Sequence, residues 1–190
     1  MENKQCNPYL IRVIKACIEG YNDCTEKGVR SSLKYIMGQA IRQYRIPDDN
    51  WHVSRAASEL WKRLTDEDIK DFTYREAVCI KEDDNELGIY VGNEKDPSKK
   101  GVEKGTKIPY NSLFHDEHTI PVSRFVKELL NKGDQVTGPE IEAVLNEIHI
   151  CKITKEEDRN IVEKSKREGT FEEIVENIYG TYVSELIPLE

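Results

Sequence analysis

Four titratable residues run together at His115-Asp116-Glu117-His118, between Phe114 and the stretch Thr119-Ile120-Pro121-Val122. Imidazole and carboxylate side chains move protons near neutral pH and bind cations. Three readings compete. The stretch can be a solvated polar turn with satisfied histidines. It can be a helical zinc site of the HExxH kind, which needs histidines four apart on one helix face. His115 and His118 are three apart, β-branched Thr119 and Ile120 favour extended backbone, and Pro121 would interrupt the helix. Or it can be an acid/base and metal centre carried on a strand. Setting four ionisable groups against an apolar flank is costly unless they are paired or coordinated, which raises the third reading.

The elements that must position these residues follow from periodicity and breakers. Residues 7–64 read as helical: Leu10, Ile11, Ile14, Cys17 and Ile18 recur at helical spacing after Pro8. Leu33, Ile36, Met37, Ala40, Ile41 and Tyr44 repeat the pattern up to Pro47, and Ala57, Leu60, Trp61 and Leu64 mark a third helix in "VSRAASELWKRL". Thr65 with its acidic followers predicts the start of a further helical turn. "FTYREAVCIKED" is β-branched and aromatic, and predicts a strand that turns at "DDNE" and returns as "LGIYVG". Residues 93–107 form a long polar loop. A helix is expected at about 123–131, and a short strand at "IHICKIT". Thr137/Glu140, Thr154/Glu157 and Thr170/Glu173 carry the capping-box spacing that opens helices, the second running to about 166. No internal repeat shows. The fold class expected is α+β, with a helical domain over 1–70 and a second domain over 71–190.

Glu117-His118-Thr119-Ile120-Pro121, then a connection, a strand at 149–154 and the capped helix "KEEDRNIVEKSK", resembles the HNH, or ββα-metal, nuclease family, whose usual first motif is Asp-His-x-x-Pro. The resemblance covers roughly 108–166. It implies a ββα-metal core after the β-hairpin read above, followed by C-terminal helices, and hydrolysis of DNA phosphodiester bonds with one Mg²⁺ or Mn²⁺, suited to restriction or defence. His118 matches the general base and Glu117 the first metal ligand. Asp158 stands where the helix ligand, Asn or His, is usual. The middle Asn falls near Asn146 or His149, so His149 joins the catalytic candidates. His115, Asn146, Asn160 and Arg124 are accessory candidates. Glu in place of the usual Asp at 117, and Asp at 158, keep hard oxygen donors. The cysteine pairs that hold zinc in some members are absent, so no structural zinc is expected.

The residue chemistry stands beside that resemblance. Phosphodiester hydrolysis needs a base for water and a cation to stabilise developing charge. The net charge is −8 over 190 residues, which argues weakly against a nucleic-acid partner. Residues 1–64, however, carry eleven basic against seven acidic side chains, and phosphate binding depends on local patches. Arg42, Arg45, Lys99, Lys100 and Lys104 are the candidate nucleic-acid contacts, although Lys and Arg on exposed helix faces are routine. Five cysteines without a CxxC pair fit a reducing, cytoplasmic setting. No apolar run is long enough to span a bilayer. DNA is the partner expected, with RNA and a homodimer left open. The rival class is a non-catalytic α+β interaction protein whose acidic C-terminal half binds a basic protein.

Overall fold

In the computed structural model the described residues are 8–67, 77–91, 94–95, 101–160, 167–174 and 186–188. The fold is mixed α+β. Two compact units divide it, Met1–Asn50 with Ile120–His149, and Trp51–Thr119 with Ile150–Glu190.

The first unit is helical. α1 (Pro8–Asp23) packs on α2 (Lys27–Arg42) and on α5 (Gly138–Asn146), and α2 packs on α4 (Val122–Lys132). The apolar stripes read from the sequence are mostly the buried faces, with Ile36 of α2 exposed. Ile14, Ile18, Met37, Ile41, Leu129, Ile141, Leu145 and Ile148 are essentially inaccessible, and each such burial contributes about 1.5–3 kcal/mol. α5 opens with the expected capping box, in which Thr137 accepts from the Glu140 amide while the Glu140 carboxylate accepts from the Thr137 amide at 2.8 Å. Asn146 is a brace: its side-chain oxygen accepts from the Tyr44 hydroxyl, and its carbonyl accepts from the Asn50 amide at 2.6 Å.

The second unit holds a four-stranded sheet of order β6 (Phe114–His118), β7 (Ile150–Thr154), β1 (Trp51–Ser54), β8 (Leu186–Pro188). β1 and β7 run parallel, and the outer strands pair antiparallel to them. α3 (Arg55–Thr65) and α6 (Lys155–Asn160) each leave a sheet strand directly and pack back on the sheet. Along the chain, two helices precede each of the parallel strands, an order with no counterpart in residue identity. β2 (Ala77–Cys79) pairs with β5 (Lys107–Pro109), and β3 (Tyr90–Val91) with β4 (Glu94–Lys95). α7 (Phe171–Ile174) follows the third capping pair, Thr170 and Glu173. Val53, Ala57, Trp61, Leu64, Ile80, Ile108 and Phe114 belong to the core of this unit.

Four expectations need correction. The division of the chain does not fall at 70. α3 packs on β1, β2 and β7, so it belongs with the sheet, while 120–149 belongs with the N-terminal helices. The third helix does not include Val53 and Ser54, which finish β1; the Ser54 hydroxyl caps α3 by accepting from the Ala57 amide. Thr65 ends α3 instead of opening a turn, because Asp66 takes a left-handed conformation with φ 58° and its amide closes on the Lys62 carbonyl; 68–76 lie outside the described residues. The hairpin expected between 72–83 and 87–92 is not formed among the described residues: Val78 pairs with Ile108, and Asp84 bridges to Val102. Gly101 permits that bridge, since a Cβ there would stand 2.7 Å from the Asp84 carbonyl oxygen. The continuation of α6 over 161–166 lies outside the described residues.

Candidate metal centre

β6 places the polar cluster. Its unbroken antiparallel register with β7 runs from Phe114 opposite Thr154 to His118 opposite Ile150, so successive side chains alternate between the faces. Asp116 is absorbed by structure. It accepts from the Tyr110 hydroxyl at 2.8 Å and from the buried Lys152 ammonium at 3.1 Å. Lys152 also lies over the rings of Trp51 and Tyr110. Burial first, and then the Asp116 charge, push the Tyr110 phenol far above its ordinary pKa, so this trio stays a neutral phenol with an ion pair.

His115 and Glu117 share a face. His115 Nε2 lies 2.8 Å from Glu117 Oε2. The other carboxylate oxygen accepts from Arg167 Nη1, which also donates to the His118 carbonyl at 3.2 Å. Burial alone would raise the Glu117 pKa, but the bonds from His115 and Arg167 outweigh it and hold the carboxyl below its usual range.

α6 brings the third group. The Thr154 hydroxyl accepts from the Glu157 amide at 3.0 Å, and the Glu157 carboxylate accepts from the Thr154 amide at 2.8 Å and from the Ser54 hydroxyl at 2.7 Å. That box fixes the first turn of α6. Asp158, the next residue, then points a carboxylate at the strand. His115, Glu117 and Asp158 each offer one ligand atom, and the three atoms lie within 4.8 Å of one another. Lys155 stands 3.7 Å from Asp158 on the same helix.

The donor set is one imidazole nitrogen and two carboxylate oxygens, which fits a divalent cation such as Mn²⁺ better than Mg²⁺, since Mg²⁺ takes oxygen almost alone. A carboxylate has about four lone-pair positions, so Glu117 can keep its bond from Arg167 and still face a cation, whereas the His115 Nε2 contact with Glu117 would give way to the ion, since one ring nitrogen cannot serve both.

No family model, curated protein or solved structure matches this chain. The site therefore stands on its own geometry.

Of the residues singled out in the sequence, Glu117 and Asp158 come together and His115 joins them. His118 is the last residue of β6, where Thr119 and Ile120 begin a bend. Asn160 ends α6 and is exposed, as is Lys104 in the second unit. Asn146, His149, Arg124, Arg42 and Arg45 belong to the first unit. Lys99 and Lys100 lie outside the described residues. Sequence reasoning missed Arg167. Its side chain is 2% exposed against Glu117, and its Nε and Nη2 are buried without an acceptor among the described residues. An arginine fifty residues from its partner, in a charged segment, carries no local signal.

Proposed function

We propose that the protein is a metal-dependent phosphodiesterase acting on DNA, with Glu117 and Asp158 as carboxylate ligands and His115 as the nitrogen ligand. The observation that supports this reading is the convergence of three ligand atoms within 4.8 Å from a strand and a helix forty residues apart. The antiparallel strand pair followed by a capped helix, β6, β7 and α6, supports the resemblance to ββα-metal nucleases.

A divalent ion held there would supply positive charge to a scissile phosphate and its leaving oxygen. The chain's own groups do the rest. His118 alternates to the face opposite Glu117, so its role as base requires the bend at Thr119 and Ile120 to turn its imidazole to the side of the ion; there it takes the proton of the attacking water while the ester P–O bond breaks and the leaving oxygen is protonated from solvent. Arg167, buried against Glu117 and bonded to it, holds that carboxylate in place for the ion.

A second assignment of the base has its own support. His115 is already bonded to Glu117, the arrangement in which a carboxylate orients an imidazole. Plasmid nicking with Mn²⁺ or Mg²⁺, and with EDTA, tests the proposal, and comparing His118→Ala with His115→Ala assigns the base. Loss of cleavage at saturating Mn²⁺ only in His118→Ala supports the first assignment. Loss only in His115→Ala supports the second. An absence of metal-dependent cleavage on any DNA or RNA returns the protein to the binding class.

A further inference from the structure

The first unit contains a feature that the metal centre does not use. α1, α2 and α4 line a cavity of about 770 Å³ open to solvent. One stripe of α2 forms a wall, with Arg30, Lys34, Gly38 and Arg42 spaced four apart along one helix face. Lys127 of α4 adds a fourth cation, and no Asp or Glu is among the lining residues. Gly38, at the middle of the stripe, keeps the floor open: a Cβ there would meet only Arg42, Val122 and Val126, at 3.5 to 3.9 Å.

Among the described residues none of the four is paired with a carboxylate. Arg30 lies 4.0 Å and Lys34 5.0 Å from the Tyr21 ring centre. Arg42 Nη1 donates to the Gly38 carbonyl at 3.2 Å. The Nε of Arg30 is buried with no acceptor among the described residues. The Lys34 hydrogen bond, and then the charge of Arg30, pull the Tyr21 phenol below its ordinary pKa despite some desolvation, which marks a positive potential. Like charges four apart on a helix are destabilising by a few tenths of a kcal/mol each, a cost that a bound anion would reverse. The opposite wall is apolar, with Val122, Val126 and Leu130 of α4.

We infer that this cavity binds the phosphates of a nucleotide through Arg30, Lys34, Arg42 and Lys127, with the base lying against the Val122, Val126 and Leu130 wall. Cavities of roughly 300–1,000 Å³ hold ligands of this size. The nucleotide can be free or part of a single strand; both present the same phosphate ester chemistry. The inference does not rest on the metal centre, which lies in the other unit.

The test is fluorescence anisotropy in EDTA, so that no strand is cut, with two probes: an end-labelled oligothymidylate dodecamer and a ribose-labelled ATP. The variant is Lys34→Glu/Lys127→Glu, both exposed positions, with a circular-dichroism melt to verify its fold. One or both probes are expected to bind, and the double reversal to weaken binding by more than tenfold. A strand neutralised by four cations loses roughly fiftyfold in affinity between 50 and 200 mM salt, from a slope of about 0.7 per contact; that dependence on the dodecamer identifies a strand as ligand. Binding of labelled ATP that the unlabelled dodecamer does not compete away identifies the free nucleotide. The inference is overturned if neither probe binds below about 1 mM at low salt, or if the folded double reversal changes affinity by less than twofold.

Discussion

The pair of Arg167 and Glu117 gives a prediction in which the two partners are not equivalent. Their side chains are 2% and 13% exposed, so this is a buried ion pair, and removing one partner of such a pair ordinarily costs about 3–5 kcal/mol. Glu117→Leu should cost that much, because it leaves a buried guanidinium with the His118 carbonyl as its remaining acceptor. Arg167→Met differs. It removes the same pair, but Glu117 keeps His115 at 2.8 Å, and two buried donors that find no acceptor among the described residues, Nε and Nη2, are removed with it. Each unsatisfied buried donor costs about 1–3 kcal/mol, so the relief offsets most of the loss, and methionine keeps the apolar stem. The expected penalty is under about 2 kcal/mol. Equilibrium urea unfolding in EDTA measures both variants through the shift of the midpoint at constant slope. In nicking assays Arg167→Met should nevertheless lose activity, since Glu117 is no longer held in place for the ion. Equal penalties for the two variants would refute the reasoning, because Arg167 would then be a structural strut with no spare donors.

Three further outcomes are expected. Gly38→Ala should raise stability by about 0.5–1 kcal/mol, since it improves helix propensity and the added Cβ meets its neighbours at ordinary contact distances; the thermal midpoint reports it. Thr137→Ala should cost about 1 kcal/mol by removing one half of a capping box that is fully formed, read from urea unfolding. Burial raises the Glu157 pKa above its ordinary value in spite of bonds from Thr154 and Ser54, so the folded state holds that proton more tightly than the unfolded one. Its contribution to stability is therefore greatest below the ordinary carboxylate pKa and declines as the pH rises through the raised value. Glu157→Gln should flatten that part of the profile of stability against pH.

The sequence showed most of what is local. The capping threonines at 137, 154 and 170 are where helices begin, because a cap is specified by two side chains three residues apart. The stripes of α1 and α2 are buried as their periodicity requires, apart from the exposed Ile36. Pairing over distance was hidden. β2 finds β5 across a polar segment, instead of the nearer apolar run at 87–92, because Gly101 and the Asp84 bridge fold that segment back. The interleaving of two units is set by packing among elements far apart in the chain, and composition does not register it. At the site, Glu117 and Asp158 were legible from residue type and order. The place of His115 beside Glu117 follows from strand alternation once β6 is known to be regular, and the same alternation makes His118 the residue whose role most needs measurement. Arg167 was out of reach, since nothing in its neighbourhood points to strand β6.

The most direct test of the central claim is nicking of supercoiled plasmid by the unaltered protein and by Glu117→Gln/Asp158→Asn, each with Mn²⁺ and with EDTA, both proteins verified as folded by their melts. The account predicts cleavage by the unaltered chain that requires Mn²⁺, is abolished by EDTA, and falls by a hundredfold or more in the double variant, in line with roughly 10²–10³ for loss of one electrostatic group at a reacting centre. Cleavage that survives in the folded double variant, or its absence from the unaltered chain under Mn²⁺, would contradict it.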